Sequence, residues 1–426
     1  MKTFGIIIFI ISICISNLIN LQVNEDNIVL KSAPRIVEEE ADFHTPLQLK
    51  YINDQNPESI SSYAKGNSDL SRQKGITLDF TNDVDKSLSY ILQYSSTRDF
   101  ETAKTTTIEN LKQSNYVLKN LKLGEIIYYR GAVNAYDLEN SVIHKLIVSS
   151  VPPRNLDIPR VDNARDIGGY KTNLVNNGVI KQGLYYRTAR LQSVRSEGKR
   201  VIAKDLGIRR EINLRGTDFD PKIDGVEYHY IPMKKSNKET RFTGYDEEYR
   251  KVFKLMSEAD EYPILLHCHA GADRTGVMSF ALLALLGVEY KDIAKDYAFT
   301  SFGLQGTRYI EGSQFEIWMR KLENYDGNNM AEKTKSWLMK KGIEEDVLEK
   351  IREIFIDGYK RKQEGGDYRF NLPDNFRSLS IDEKYEIVKK IIQKNILHLA
   401  TLKDYLTPNE YQIILRRYKL ELKNKE

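Results

Sequence analysis

The sequence predicts three parts: an N-terminal β-sandwich, a mixed α/β domain on a mostly parallel sheet flanked by helices, and a C-terminal helical extension. Three observations predict this. Between residues 76 and 148, apolar and polar residues alternate in several short runs, the period of half-buried strands. From residue 153, short apolar strands take turns with helix-length stretches, as in a sheet covered by helices on both faces. Beyond Ile356 the pattern is helical and amphipathic. A chain of 426 residues has room for roughly three domains of ~150 residues.

Composition narrows the class. Hydrophobic residues make up 41% and charged residues 29%, which excludes a collagen-like, largely disordered or polytopic membrane protein. Lys and Arg number 64 against 60 Asp and Glu, too even a balance to imply nucleic acid as a partner. The basic excess is local: residues 358–426 hold 15 basic and 10 acidic side chains. That charge on amphipathic helices marks the tail, with the sandwich, as a surface that could dock another protein. Gly365-Gly366 reads as a flexible break before it.

At the N-terminus, Met1-Lys2 precedes an apolar run from Phe4 to Ile15, with small Ser16 after it. This is the pattern of a secretory signal, cleaved after residue 16. It predicts a secreted, periplasmic or cell-surface protein. An uncleaved membrane anchor is the alternative, but the run falls short of the ~20 apolar residues of a span. The two cysteines, Cys14 and Cys268, exclude a disulfide framework. Removal of residues 1–16 would leave Cys268 as a lone thiol.

Residues 21–75 are polar, with Asn, Ser, Asp and Glu clustered over 53–67, and read as a loosely ordered lead or an irregular first part of the next domain. The sandwich strands are expected at Ile76–Phe80, Leu88–Tyr94, Tyr116–Leu121, Ile126–Val133 and Val142–Val148. The first domain therefore runs over 21–150. Val151-Pro152-Pro153 is a stiff break. The α/β domain follows over 153–357, with strands at Leu184–Arg187, Glu211–Leu214, Tyr228–Ile231 and Ile264–His267. Helices are expected at Glu247–Ala259 and Gly276–Leu286, and in the extension (358–426) at Ile381–Ile396 and Pro408–Leu422.

The chemistry concentrates in one loop. Ile264-Leu265-Leu266 is wholly apolar, as a buried parallel strand is. Val277–Leu286 is apolar at helical length. Between them stand His267, Cys268, His269, Ala270, Gly271, Ala272, Asp273, Arg274, Thr275 and Gly276. A tight loop closing onto a helix N-terminus turns backbone N–H groups inward and makes an anion site. Gly271 allows the backbone to curl. Arg274 can grip two phosphate oxygens in a fork, which Lys cannot.

A cysteine at such a site feels the helix N-terminus and the guanidinium, both of which favour thiolate over thiol. A thiolate behind a bound phosphate is placed for in-line attack on phosphorus. Arg274 and the N–H cradle would steady the equatorial oxygens. Thr275 can hydrogen-bond the sulfur and improve it as a leaving group. The scheme uses no cofactor and no metal. A His267-Cys268-His269 metal site is the competing reading, but strand alternation puts Cys268 on the face opposite the histidines. A buried, inert cysteine is the other, and it would need neither Gly271 nor Arg274.

These residues resemble the signature of the protein tyrosine phosphatase superfamily, His-Cys-x-x-Gly-x-x-Arg-Thr. More narrowly, they resemble the bacterial and fungal-type tyrosine phosphatases that carry Asp just before the loop arginine. Asn163-Ala-Arg165-Asp166-Ile-Gly168-Gly169-Tyr170, Gly183–Thr188 and Glu211-Ile-Asn213-Leu-Arg215-Gly216 are similar to three further family segments in the same order. The resemblance covers roughly residues 155–357. It implies a cysteine phosphatase fold, a phosphocysteine intermediate and Asp273 as general acid, with Cys268 and Arg274 as its catalytic partners. The loop residues His269, Ala270, Gly271, Ala272, Thr275 and Gly276 would hold the phosphate. His267, Arg165, Asp166, Arg187 and Arg215 would support them. Asp246, on the far side of the Tyr228–Ile231 strand, is the alternative acid, in the place where a closing loop would deliver it.

Two departures bear on the substrate. The family often has Lys where this chain has Ala272, a residue that goes with phosphoinositide activity. Asn213 replaces the usual Asp of the Asp-Leu-Arg strand end. The expected substrate is phosphotyrosine in protein. An inositol phosphate or phosphoinositide is the alternative, and a phosphate-binding protein without turnover is the alternative outside enzymes. Sulfur transfer also uses a cysteine loop, but the Arg-Thr-Gly ending argues for phosphate. In the sandwich, Asn120–Arg130 resembles the late strands of a fibronectin type III domain, with Ile127 where the corner tyrosine is expected.

Overall fold

The computed structural model describes residues 19–24, 27–32, 35–54, 56–64, 71–80, 88–234, 239–304, 306–361, 375–392 and 406–423. Residues 1–16, where a secretory signal was expected, and Gly365-Gly366 lie outside these. The chain divides into two compact units, Met1–Tyr359 and Lys360–Glu426. Residues 19–24 and 27–32 pair as two antiparallel strands.

Among the described residues the sandwich has seven strands: β1 (Ile36–Ala41), β2 (Ile76–Asp79), β3 (Tyr90–Ser95), β4 (Thr105–Leu111), β5 (Asn115–Leu118), β6 (Ile126–Ala132) and β7 (Ile143–Val148). One sheet has the order β1-β7-β6-β3-β4 and the other pairs β2 with β5. All pairs are antiparallel except β1 with β7. Ile76, Leu78, Phe80, Leu92, Ile127, Tyr129 and Leu146 fill the space between the sheets. On β6 the inward residues are Ile127, Tyr129 and Gly131, every second position. That alternation was readable in the sequence. β1 and β4 were not expected. Tyr129 is the buried aromatic of β6, and its hydroxyl donates to Glu39 Oε2 at 2.9 Å.

Within the stretch expected as a loosely ordered lead, residues 35–54 and 56–64 contribute to two cores. β1 completes the sandwich sheet. Helix α1 (Pro46–Asn53) starts on a capping box, with Thr45 and Gln48 satisfying each other's backbone N–H and Pro46 in the first turn. It delivers Tyr51 into the core of the α/β domain, with Ile60 from the next turn.

The α/β domain is built on β8 (Arg154–Asn155), β9 (Arg165–Asp166), β10 (Tyr185–Thr188), β11 (Arg210–Asn213), β12 (Glu227–Tyr230) and β13 (Ile264–His267). They lie in the order β8-β9-β10-β13-β11-β12. The four longer strands are parallel, and the two short ones join antiparallel at one edge. This is the mostly parallel sheet the sequence predicts. β13 runs through its centre: Ile264 and Leu266 face one apolar cluster, Leu265 the other. Helices α2 (Asp246–Met256), α3 (Arg274–Leu285), α4 (Tyr290–Phe299), α5 (Gln314–Leu322), α6 (Met330–Lys340) and α7 (Glu345–Phe355) complete the domain. α3 is buried from Thr275 to Leu285, which explains its lack of a polar face. It follows β13 directly, so the loop between them sits at the carboxyl end of the sheet, where open α/β folds place their ligands.

Sandwich and α/β domain are locked across residues 151–153. Arg154 donates to the carbonyls of Leu121 (2.9 Å) and Asn120 (2.6 Å) and to Asp166 Oδ2 (2.8 Å). Gln182 and Leu123 exchange two hydrogen bonds. Arg154 and Asp166 are both buried. Arg154→Ala would leave that carboxylate without its cation, and loss of about 3 kcal/mol or more is expected. The urea midpoint at unchanged slope measures it; a loss below about 1 kcal/mol would mean that water replaces the guanidinium.

The second unit has its own small core of Phe376, Tyr385, Val388, Leu406 and Ile414. It contains α8 (Ile381–Ile392) and α9 (Pro408–Lys423), the two helices expected there. Lys384 on α8 pairs with Glu410 on α9 at 2.7 Å.

Candidate active site

Cys268 is the first residue beyond β13 and is 2% exposed. It forms the floor of a cleft of about 460 Å³, lined also by Arg215, Gly216, Thr217, Arg241, His269, Ala270, Asp273, Arg274 and Arg308. The loop curls at Gly271, whose φ is +65°. A Cβ there would lie 2.4 Å from the Thr188 carbonyl oxygen, so no other residue fits. Ala272 is fully buried. At the far end of the loop, α3 begins at Arg274, and its first turn leaves backbone N–H groups free for an anion.

The sulfur is set to ionise. Burial pushes its pKa up, but the Arg274 charge and hydrogen bonds from the Thr275 hydroxyl and amide outweigh that and hold it below the ordinary thiol value. Arg274 is aimed by its neighbours: its Nη1 donates to the carbonyls of Leu214 (3.1 Å) and Met233 (3.2 Å), just past β11 and β12. The strand ends thus hold the guanidinium before a phosphate arrives, which is preorganisation in the literal sense.

Residues 156–365 match the tyrosine phosphatase family. A curated tyrosine-protein phosphatase from Nostoc commune is 25% identical over 152 residues, covering 30% of this chain and 51% of that protein. The chain therefore spans about half the length of that relative. Among solved structures, the core catalytic domain of the PP-IP phosphatase Siw14 from S. cerevisiae is 18% identical, with a TM-score of 0.27, covering 35% of this chain and 87% of its own. P. aeruginosa TpbA is 17% identical, with a TM-score of 0.26, covering 38% and 87%.

In this domain two of the residues expected to support the loop, Arg165 and Arg187, come together beneath it. Arg165 and Arg187 converge on one buried carboxylate, Asp296 of α4, at 2.7 and 2.5 Å. Burial would raise the pKa of Asp296, but the two arginines hold it below the usual carboxylate range. Arg187 then donates to the Gly271 carbonyl at 2.8 Å, and Asn163 donates to the Ala270 carbonyl at 3.0 Å. Arg165 also donates to Asn163 and to the Asp296 carbonyl. The loop is thus tied from below through its carbonyls, which leaves its N–H groups to the cleft. Asp296 was missed by sequence reasoning. Its signal was a carboxylate among Ala294, Tyr297 and Ala298 on the apolar face of a helix.

Asp166 lies further off, accepting from the Gly168 and Gly183 amides (2.8 and 2.6 Å) and from Arg154. It shapes the tight turn and the junction with the sandwich. His267 is buried, with Nε2 2.9 Å from Glu211 Oε1. His269 accepts at Nε2 from Arg190 (2.7 Å). Burial, then Arg190, Arg215 and Arg274, lowers its pKa, so the ring is neutral with its proton on Nδ1. Among the described residues no cluster of three or more His, Cys, Asp or Glu is placed to hold a metal.

Arg215 forms a wall of the cleft and is held by Asp220 at 2.6 Å. Asn213 explains itself here. Its amide nitrogen donates to Asp220 (3.2 Å) and to the Tyr228 hydroxyl (2.9 Å), while its oxygen accepts from the Arg215 amide (2.8 Å). An aspartate would set a second carboxylate against Asp220. Of the two candidate acids, Asp273 lines the cleft. Asp246 pairs with Lys341 at 2.8 Å, at the start of α2, and is not among the cleft residues. Residues 235–238, between β12 and α2, lie outside the described ones.

Proposed function

We propose that this chain is a phosphatase that hydrolyses phosphomonoesters through a phosphocysteine intermediate, with phosphotyrosine in protein as its substrate. The observation that carries the reading is Cys268, its pKa held below the ordinary thiol value, on the floor of a cleft whose walls bring Arg274 and Asp273 together. The sulfur attacks phosphorus from behind, and the bond to the ester oxygen breaks. Protonated Asp273 gives its proton to the departing oxygen. Water then attacks the phosphocysteine, Asp273 takes a proton back, and the S–P bond breaks to release phosphate. Arg274 and the α3 N-terminus steady the oxygens at each step.

The family match supports tyrosine as the esterified residue. Buried Ala272 in place of Lys removes a cation used for multiply charged head groups. Four arginines around the cleft favour a second reading, an inositol phosphate. Export, read from residues 1–16, goes with either substrate.

The test compares kcat/KM for a phosphotyrosine peptide, a phosphoserine peptide, a phosphoinositide and phytate with the purified protein. The phosphotyrosine peptide should lead the series. Preference for phytate or the phosphoinositide would replace the first reading with the second.

A further inference from the structure

Beyond Asp273 the cleft continues into a second cavity of about 520 Å³. Its lining shares Arg241, Asp273 and Arg308 with the first and adds Tyr297, Tyr309, Ser313, Gln314 and Glu311 among others. Arg308 Nε lies 3.4 Å from Asp273 Oδ1. Arg241 donates through Nη1 to Gln314 Oε1 at 2.6 Å, and its buried Nε–H has no partner among the described residues. Buried Gln314 turns its nitrogen to Asp273 and to the Tyr297 hydroxyl. One amide thus connects the proposed acid to a guanidinium of the second cavity.

We propose that this cavity is a subsite for a second anion on the substrate, a carboxylate or phosphate borne by the same peptide as the phosphotyrosine. The inference rests on the phosphatase reading above and deepens it. An unsatisfied buried guanidinium N–H is a costly group that an anion would pair. Arg308 faces both cavities, so an incoming anion competes with Asp273 for it. Glu311, exposed on the rim, is the one carboxylate of the second cavity besides Asp273 among the described lining residues.

The subsite is also rigidly built. The Arg308 amide donates to Ser301 Oγ at 2.7 Å. The amides of Ile310 and Glu311 donate to the Glu58 carboxylate at 3.3 and 2.7 Å. The loop carrying Arg308 is therefore pinned by the segment ahead of the sandwich. Tyr309 stands half-exposed beside it, an aromatic wall for a peptide chain.

The experiment uses the full chain and phosphotyrosyl peptides in which one flanking position at a time is Gln, Glu or phosphoserine. At one or more positions the anionic residue should raise kcat/KM about tenfold or more over Gln, the worth of a charged hydrogen bond. Glu and phosphoserine arms separate a carboxylate partner from a phosphate. In Arg308→Ala and in Arg241→Ala the ratio between anionic and Gln peptides should fall below about twofold. A flat peptide series in the wild type together with a flat bisphosphate-to-monophosphate ratio, or an advantage that survives both substitutions, overturns the subsite. An aryl bisphosphate compared with the aryl monophosphate gives the same ratio without a peptide. Failure on peptides with the bisphosphate ratio intact would count against phosphotyrosine and leave the subsite standing.

Discussion

Cys268→Ser should lose turnover by ~10⁴-fold or more, as nucleophile removals do, while binding of inorganic phosphate is retained. A serine hydroxyl is not ionised near neutral pH, and nothing else at the floor of the cleft can attack phosphorus. The phosphate contacts belong to Arg274 and to the start of α3, which the change leaves in place. Equilibrium titration with phosphate and single-turnover assays separate the two effects. Activity above that residue would refute the cysteine mechanism. The pH dependence has a definite sign. The thiol is held below its ordinary value by Arg274 and Thr275 against the opposing pull of burial. The acid limb of kcat/KM should therefore fall below the range of a free thiol. Arg274→Lys should lose most activity as well, because a point charge cannot reproduce the fork.

The second large effect is expected at Asp273. A phenolate of tyrosine needs a proton as its bond to phosphorus breaks, whereas a nitrophenolate leaves without one. Asp273→Asn should slow a phosphotyrosine peptide by about 100-fold or more, with a much smaller effect on nitrophenyl phosphate. The basic limb of the pH profile should flatten. Asp246→Asn is the comparison, since Asp246 is engaged with Lys341 and should show no dependence on the leaving group. If Asp246→Asn carries that dependence instead, a closing segment between β12 and α2 delivers the acid.

How much of this was legible in the sequence depended on the range of the interactions. β2 and β6 announced themselves because one face of each is buried and the other is not. β1 did not. Its run Glu38-Glu39-Glu40 reads as a solvated charge cluster, yet Glu38 pairs with Lys145 and Glu39 with His144 of the neighbouring β7. β4 is a polar edge strand, Thr105-Thr106-Thr107, with no apolar alternation to reveal it. The nucleophile loop was legible because its parts are consecutive. Asp296, Arg308 and Gln314 were not singled out, because each meets the loop only after two or more helices have packed. Arg165 and Arg187 were picked out as supports, but the shared carboxylate between them required the fold.

After β1, residues 46–63 place Tyr51, Ile60 and Glu58 within the α/β domain, and only then does the chain build the other strands of the sandwich and return. In order along the chain the sandwich is thus nested inside the domain it adjoins. A fragment begun at Arg154 would not be a whole domain. It would open a hole where Tyr51 packs against Phe299 and Phe302 and would free the loop bearing Arg308. During synthesis, the first pieces of the catalytic core emerge well before the strand that carries Cys268. They must wait for it, while the sandwich, whose seven strands are contiguous apart from β1, can close in the interval.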